Sequence, residues 1–165
     1  VLNCVNVDKG DVFFIDAGSV HAIGGGILLA EIQQTSDITY RIYDYDRVDS
    51  EGNHRELHTA LAVDAINFNK DIDFKRNYSK QVNKLNNIVR SPHFKTSIIP
   101  VKGTTKIDYR NVDSFVIFMC VEGAAKITIF SRDEAIEMGE TVLIPAVASE
   151  VEIEAESCVL LEISV

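Results

Sequence analysis

The chain has 165 residues, 46% of them hydrophobic, which suffices for one ordinary domain or two small ones with a real core. Its formal net charge of -9 argues against nucleic acid or an anionic membrane as the main partner, because both attract a positive field. The three widely spaced cysteines do not suggest a disulfide framework, and no segment resembles a signal peptide or a bilayer-spanning run of roughly 20 apolar residues. A reducing cytoplasm is the simplest setting.

The first 68 residues are predicted to hold several strands, the first of them at the start of the chain (Val1, Leu2, Val5, Val7), and one helix. Short runs rich in apolar, β-branched and aromatic residues predict strands over 11–15, 27–32 and 38–43. Apolar residues at helical spacing predict the helix within residues 55–68. The polar, basic stretch 69–94 is typical of a solvated linker, with a short helix near 79–86.

The second half is predicted to be all-β, with short strands and frequent turns. The sequence FVIFMCV at 115–121 indicates a buried strand that turns at Glu122-Gly123, and a further turn is predicted at 131–133. The run TVLI at 141–144 predicts another strand. Residues 150–156 alternate, with apolar side chains on one face and glutamates on the other. This pattern favours a sandwich or a barrel.

Two segments repeat at an offset of 129 residues: GDVFFIDA at 10–17 and GETVLIPA at 139–146. A repeat on that scale suggests two copies of one domain type. The first copy, followed by Gly18 and His21, resembles the second motif of the cupins, small jelly-roll barrels in which that histidine binds metal. The second copy has Glu150 at the histidine position. We expect Glu150 to face solvent and the second barrel to hold no metal.

The stretch 17–58 carries most of the functional information. Glu31, Asp37 and Arg41 fall at odd positions, whereas most even positions from 28 to 42 are apolar, so regular strands would have one polar and one apolar face. Periodicity alone is also satisfied by a polar face that meets water. His21 follows a strand and precedes three glycines, and a neutral imidazole is a good zinc donor.

The motif A-G-x-x-H-A, a glutamate ten residues after the histidine, an S-D pair and an arginine, followed by RIYDYDRVDSEGNHRELH, resembles the type I mannose-6-phosphate isomerases in their short bacterial form. The resemblance is strong over 10–68 and continues beyond residue 95 as a degenerate cupin. It implies the C-terminal half of an all-β bicupin: part of the catalytic barrel with a trailing helix at 1–68, a linker at 69–94, and a second jelly-roll barrel at 95–165.

The resemblance also implies roles for individual residues. His21 corresponds to the last zinc ligand, and Arg41 to the catalytic arginine near the substrate phosphate and the reacting carbons. Glu31 and Asp37 match acidic residues that line the same pocket. The family's remaining zinc ligands lie upstream of the matched segment, so most of the metal site is expected to be missing here. His54 and His58, near the predicted helix start, are interpreted as surface residues.

The family interconverts mannose 6-phosphate and fructose 6-phosphate through a cis-enediol, with zinc as Lewis acid. The expected partners are a hexose 6-phosphate and either a second copy or the missing N-terminal half, because incomplete barrels leave strand edges open. Nucleic acid and membrane are not expected partners. Two alternatives stay open: a non-catalytic sugar-binding or regulatory cupin, and another metal-dependent cupin such as a dioxygenase or an epimerase.

Overall fold

The computed structural model of the chain describes residues 2–35, 38–68 and 73–165. The chain divides into two compact units, one formed by Val1–Lys9 and Phe13–Phe74 and the other by Gly10–Val12 and Lys75–Val165. None of the described helices is long and apolar enough to cross a membrane. The elements are α1 (Thr59–Ala65), β1 (Asn86–Arg90), β2 (Lys95–Asp108), β3 (Val116–Ile129), β4 (Arg132–Glu137), β5 (Thr141–Ile144) and β6 (Glu150–Ser164).

The second unit is an antiparallel sheet that curls around one core. Its strand order is β1-β2-β6-β3-β4, and β5 pairs with the first half of β3, on the edge where β4 pairs with the second half. The core takes side chains from five strands of this one sheet, so the sheet must bend around them. The all-β class predicted for this half is confirmed. The largest fully buried side chains are those of Phe118, Ile99, Ile127, Ile136, Ile144, Ile153 and Leu160.

Two glycines allow the long strands to bend. Gly103 in β2 and Gly123 in β3 have φ of 73° and 74°, and both lie at register shifts against β6. A Cβ at Gly123 would lie 2.3 Å from the carbonyl oxygen of Ser157, whereas one at Gly103 would meet nothing within 4 Å. The turn predicted at Glu122-Gly123 is therefore wrong. The strand continues through a bulge, which bends it without ending it.

The alternating pattern predicted for residues 150–156 is confirmed. Val151 and Ile153 are fully buried in β6, while the glutamates between them face outward. Lys106 Nζ lies 3.1 Å from Glu150 and 3.3 Å from Glu152. Glu150 thus faces solvent, as expected. These exposed pairs add little stability each, but they reduce the repulsion within the acidic row.

The β3–β4 hairpin turns one residue earlier than predicted. Phe130 and Ser131 occupy the turn with φ of 49° and 59°, and Ile129 pairs with Arg132. Two consecutive residues with positive φ form the turn that matches the twist of a two-residue hairpin. The composition of this turn gives no sign of it, because phenylalanine is an unusual residue at such a position.

Residues 79–86 do not form the predicted short helix. Asn83 has φ of 59°, and its side-chain amide both accepts from and donates to the backbone of Lys102 in β2. The buried amide of Asn86 binds the Ser79 hydroxyl and the backbone of Gln81. These side-chain bonds fix a turn at the entry to β1, a strand that falls within the predicted linker.

The first unit departs furthest from its sequence prediction. The segments 11–15, 27–32 and 38–43 do not form regular strands, because the described residues give them no continuous hydrogen-bonded neighbour. The helix predicted within 55–68 is confirmed only as the seven-residue α1. It begins late because the His58 N–H is bonded to the Arg41 carbonyl oxygen at 2.7 Å, leaving Ala62 to make the first helical bond.

A buried carboxyl lies inside the core of the second unit. Glu162 is 5% exposed and sits between its register partners Ser97 and Phe118. Burial raises the pKa of Glu162, although the Ser97 hydrogen bond and the charge of Lys95 act in the opposite direction. The buried Tyr109 hydroxyl, which has no hydrogen-bond partner among the described residues, has its pKa raised by burial and by Glu162.

We expect Gly123→Ala to destabilise the chain more than Gly103→Ala. Both substitutions place a Cβ on backbone of nearly equal positive φ, which costs about 1–2 kcal/mol. Only Gly123→Ala adds a clash with the Ser157 carbonyl. Urea denaturation of both variants measures the difference, and equal losses would show that the strands shift freely at the bulge.

We expect Glu162→Gln to raise the thermal midpoint at pH 7. Below the pKa of about 4.5 that Glu162 has in the unfolded chain, the carboxyl is protonated in both the folded and the unfolded state. Burying it then carries no ionisation penalty. As pH rises from there through the raised folded pKa, the wild type loses stability that the glutamine variant keeps. Thermal denaturation from pH 4 to 8 should therefore show a difference in thermal midpoint that grows with pH, with the glutamine variant the more stable. The exposed Glu156→Gln is the control, and a less stable Glu162→Gln at pH 7 would contradict the prediction.

Candidate functional site

His21 follows a turn that is packed against the end of α1. The Ser19 N–H donates to the Asp16 carbonyl at 3.2 Å, and the Asn67 N–H donates to the Gly18 carbonyl at 2.9 Å. Gly18 has φ of 81°, and a Cβ there would lie 2.7 Å from the carbonyl oxygen of Ala65. The glycine of the A-G-x-x-H motif is therefore required both by the backbone conformation and by the closeness of the helix end.

The His21 ring has a defined tautomer. Its Nδ1 lies 2.9 Å from the Ser19 carbonyl oxygen, which can only accept, so Nδ1 carries the proton. In the neutral ring, Nε2 then presents a lone pair on an exposed side chain. Histidines that bind metals commonly donate their other nitrogen to a backbone carbonyl in this way. His21 thus fits the role of one metal ligand.

The described residues do not complete a metal site by themselves. Over 2–35, 38–68 and 73–165, no three histidine, cysteine or acidic side chains form a group that could hold an ion. A catalytic zinc usually takes three protein ligands and a water. His21 would therefore be one member of a set whose other members are not gathered here.

Arg41 is held mainly through its backbone. Its N–H donates to Nδ1 of His58 at 3.2 Å, and its carbonyl accepts from the His58 N–H at 2.7 Å. Its guanidinium is 24% exposed and donates from Nη1 to the Glu56 carbonyl at 3.4 Å. The residue that the family resemblance assigns to catalysis is thus joined to the R-E-L-H segment 17 residues further along the chain.

Asp44 is a buried carboxylate surrounded by three arginines. It is 7% exposed and accepts from Arg55, through Nε at 2.7 Å and through Nη2, and from Arg47 Nη2 at 2.5 Å. Arg41 Nε lies 3.9 Å from the same carboxylate. The hydrogen bonds from Arg55, and then those from Arg47, lower the pKa of Asp44 to about 2. One negative charge among three guanidiniums leaves the cluster positive.

A short loop brings Arg55 back to Asp44. The Asp49 carboxylate accepts from the backbone N–H groups of Glu51 and Asn53 at 2.8 and 2.9 Å. An isolated bridge then pairs Val48 with His54. The D-x-x-G-N sequence encodes this turn, because aspartate caps its own loop and Gly52 supplies a positive φ of 86°.

The structure brings only some of the predicted site residues into one network. Glu31 is exposed, and Asp37 lies outside the described residues. Where the chain is described, no hydrogen bond or ion pair joins His21, Glu31 and Arg41 to one another. Asp44 and Arg55 were not singled out from the sequence. The sequence feature that could have indicated this cluster is the position of Asp44 between Arg41 and Arg47.

The predicted two-faced pattern in this stretch is not realised. Even-numbered apolar residues are exposed, with Leu28 at 88% and Ile38 at 66%, because no second layer of the described residues covers them. The interpretation of His58 as a surface residue also needs correction. It is 25% exposed, and its ring takes part in a specific bond, while His54 is exposed as expected. That His21 and Arg41 face the same active-site pocket, as the family resemblance implies, stays a prediction.

Comparison with known proteins identifies the family. Residues 84–163 match the family profile described as "Mannose-6-phosphate isomerase, cupin domain". The mannose-6-phosphate isomerase of Streptococcus mutans and ManA of Bacillus subtilis are each 31% identical to this chain, over 88% of its length and 46% of theirs. The chain thus spans about half the length of the curated relatives that it matches.

A solved structure supports the same assignment. The crystal structure of the mannose 6-phosphate isomerase from Bacillus subtilis aligns with a TM-score of 0.66 and 27% identity, covering 79% of this chain and 41% of that one. The curled sheet and single described helix are accordingly cupin-like, as the sequence resemblance implies. From the family profile, the relatives and this structure together, we conclude that the chain belongs to the mannose-6-phosphate isomerase family.

Proposed function

We propose that the protein containing this chain interconverts mannose 6-phosphate and fructose 6-phosphate, and that the first unit contributes His21 and Arg41 to the active site. The observation that carries the proposal is the His21 ring, whose Nδ1 bond to Ser19 leaves Nε2 open for a metal. Relatives with that printed activity are 31% identical over most of the chain. We assign the remaining ligands to parts of the protein outside these 165 residues.

A zinc ion at His21 would supply Lewis-acid stabilisation for the charge that develops on the sugar oxygens. The residues of this chain would position His21. The Ser19 carbonyl keeps the His21 ring oriented and, in the neutral ring, places the proton on Nδ1 so that Nε2 carries the lone pair. The closely packed turn at Gly18 keeps that histidine on a fixed backbone.

Arg41 is proposed to bind the anionic end of the substrate. A guanidinium is always charged, and its planar fork matches phosphate oxygens. Together with Arg41, the neighbouring Arg47 and Arg55 carry three positive charges against the single negative charge of Asp44, so the local net charge is positive. Glu31 and Asp37 are the candidates to move the proton between the two carbons through the cis-enediol, since a correctly positioned carboxylate can act as a general base.

The first unit also offers a surface for association. Large apolar side chains such as Leu2, Leu28 and Ile38 are more than 60% exposed. We propose that the incomplete first barrel of a bicupin is covered by the rest of the protein or by a second copy. A cytoplasmic setting is part of the proposal and agrees with three unpaired thiols, two of which, Cys120 and Cys158, lie 3.6 Å apart in the core.

We expect His21→Ala, made in the protein at its natural length, to lower isomerase turnover of mannose 6-phosphate at least about 100-fold and to lower the bound zinc in parallel. The change removes one metal ligand while leaving the sheet of the second unit untouched. Turnover is measured by coupled detection of fructose 6-phosphate, and zinc by elemental analysis after dialysis. His93→Ala, on an exposed loop of the second unit, is the matched control.

The isolated 165-residue chain gives the complementary test. We expect it to turn over little substrate and to bind zinc weakly, because one imidazole does not offset the dehydration of the ion. Robust turnover by this chain that depends on His21 would contradict the assignment of the other ligands. Tight mannose 6-phosphate binding by the natural-length protein without turnover would instead favour a non-catalytic sugar-binding cupin.

A further inference from the structure

Arg41 makes few contacts through its own side chain, yet its backbone is tightly specified. The His58 imidazole accepts the Arg41 N–H at Nδ1, and the His58 backbone returns a bond to the Arg41 carbonyl. The two residues thus form a reciprocal pair, like one rung of an antiparallel ladder, but one of the two acceptors is a side chain. A regular strand pair would need no histidine at this place.

The His58 ring has the opposite tautomer from His21. Because the Arg41 N–H can only donate, His58 Nδ1 must be unprotonated. Its Nε2 then carries the proton and lies 3.9 Å from the Glu56 carboxylate, a partner that favours that tautomer. The ring also lies against Tyr40, with centroids 6.3 Å apart. These contacts fix the ring, and the ring fixes the Arg41 amide.

Asp44 acts on the side chain of Arg41. Its carboxylate is 3.9 Å from Arg41 Nε, too far for a hydrogen bond but close enough to attract the guanidinium. Because Arg47 and Arg55 already occupy the carboxylate oxygens, Arg41 is drawn toward Asp44 without being captured by it. Its guanidinium keeps donors available for another anion.

We propose that His58 is a positioning residue for Arg41: its Nδ1 holds the Arg41 backbone so that the guanidinium, kept partly free beside Asp44, meets the phosphate of the substrate. His58 touches no substrate in this account and acts through Arg41. The inference rests on the proposed isomerase function for its kinetic consequence only. The structural consequence, a protected Arg41 amide, is independent of that function.

The test compares His58→Ala with His58→Asn in the natural-length protein. Both variants lose the imidazole volume, but the asparagine Oδ1 can accept near the position of Nδ1. We expect His58→Ala to raise KM for mannose 6-phosphate and to lower kcat/KM on the order of 10- to 100-fold, and His58→Asn to recover most of the loss. The exposed His54→Ala, four residues away, should match the wild type.

Hydrogen exchange of the Arg41 amide provides the second measurement. It should be faster in His58→Ala than in His58→Asn or the wild type, while the thermal midpoints of the two variants stay alike. Equal kinetic losses in both variants, or an Arg41 amide whose exchange is unchanged by His58→Ala, would overturn the proposal. If the wild type shows no isomerase activity, the proposed function fails, and the exchange rates alone then decide whether His58 positions Arg41.

Discussion

The buried carboxylate of Asp44 organises the segment that carries Arg41. A charge removed from water is tolerated only when it is paired and hydrogen-bonded, so Asp44 requires the guanidiniums of Arg47 and Arg55 around it. That requirement folds the chain back through the loop at Asp49 and brings the R-E-L-H segment beside Arg41. A stretch with little regular secondary structure thereby acquires a defined shape.

Two histidines in the first unit are given different chemistry by their hydrogen-bond partners. A carbonyl oxygen beside Nδ1 of His21 leaves its Nε2 as an acceptor on the surface. In His58, Nδ1 accepts the backbone N–H of Arg41 and is therefore the unprotonated nitrogen of the ring. Residue type alone does not distinguish the metal ligand proposed at His21 from the positioning residue proposed at His58. The atom opposite each ring nitrogen makes the distinction.

The sequence predicts the second unit far better than the first because its patterns are local consequences of burial. The alternation at 150–156 and the apolar run at 115–121 both lie in strands that turn one face to the shared core. The continuous run predicts a strand buried on both faces, but only alternate residues from Val116 to Cys120 are buried and Phe115 is exposed. The sequence predicts a turn at Gly123 rather than a bulge, because a glycine with positive φ suits both and only the Ser157 carbonyl opposite distinguishes them. The Asn83 and Asn86 bonds, made to distant backbone, likewise left no periodic signal.

Family resemblance assigns site residues where periodicity assigns none, and these assignments stay predictions. It selected His21 and Arg41, whereas the strand pattern around them predicted an apolar face that the described residues do not bury. The sequence pattern gives no indication of the Asp44 cluster, because Arg47 and Arg55 lie three and 11 residues from Asp44, separations that fit no single period. An ion-pair network of this kind produces no periodic pattern in the sequence and can be identified there only through a known motif.

The two units are stabilised by different means, and this bears on where function resides. The second unit has a continuous apolar core, whereas among the described residues of the first unit Ala62 is the one buried hydrophobic residue. The first unit therefore depends on hydrogen bonds and ion pairs around Asp44, Asp49 and Gly18, each worth little on its own once water competes. Its exposed apolar side chains would gain about 25 cal/mol per Å² when a partner covers them. The segment bearing His21 and Arg41 is thus the part of the chain whose order should depend most on association, so completing the active site and stabilising the first unit would be one event.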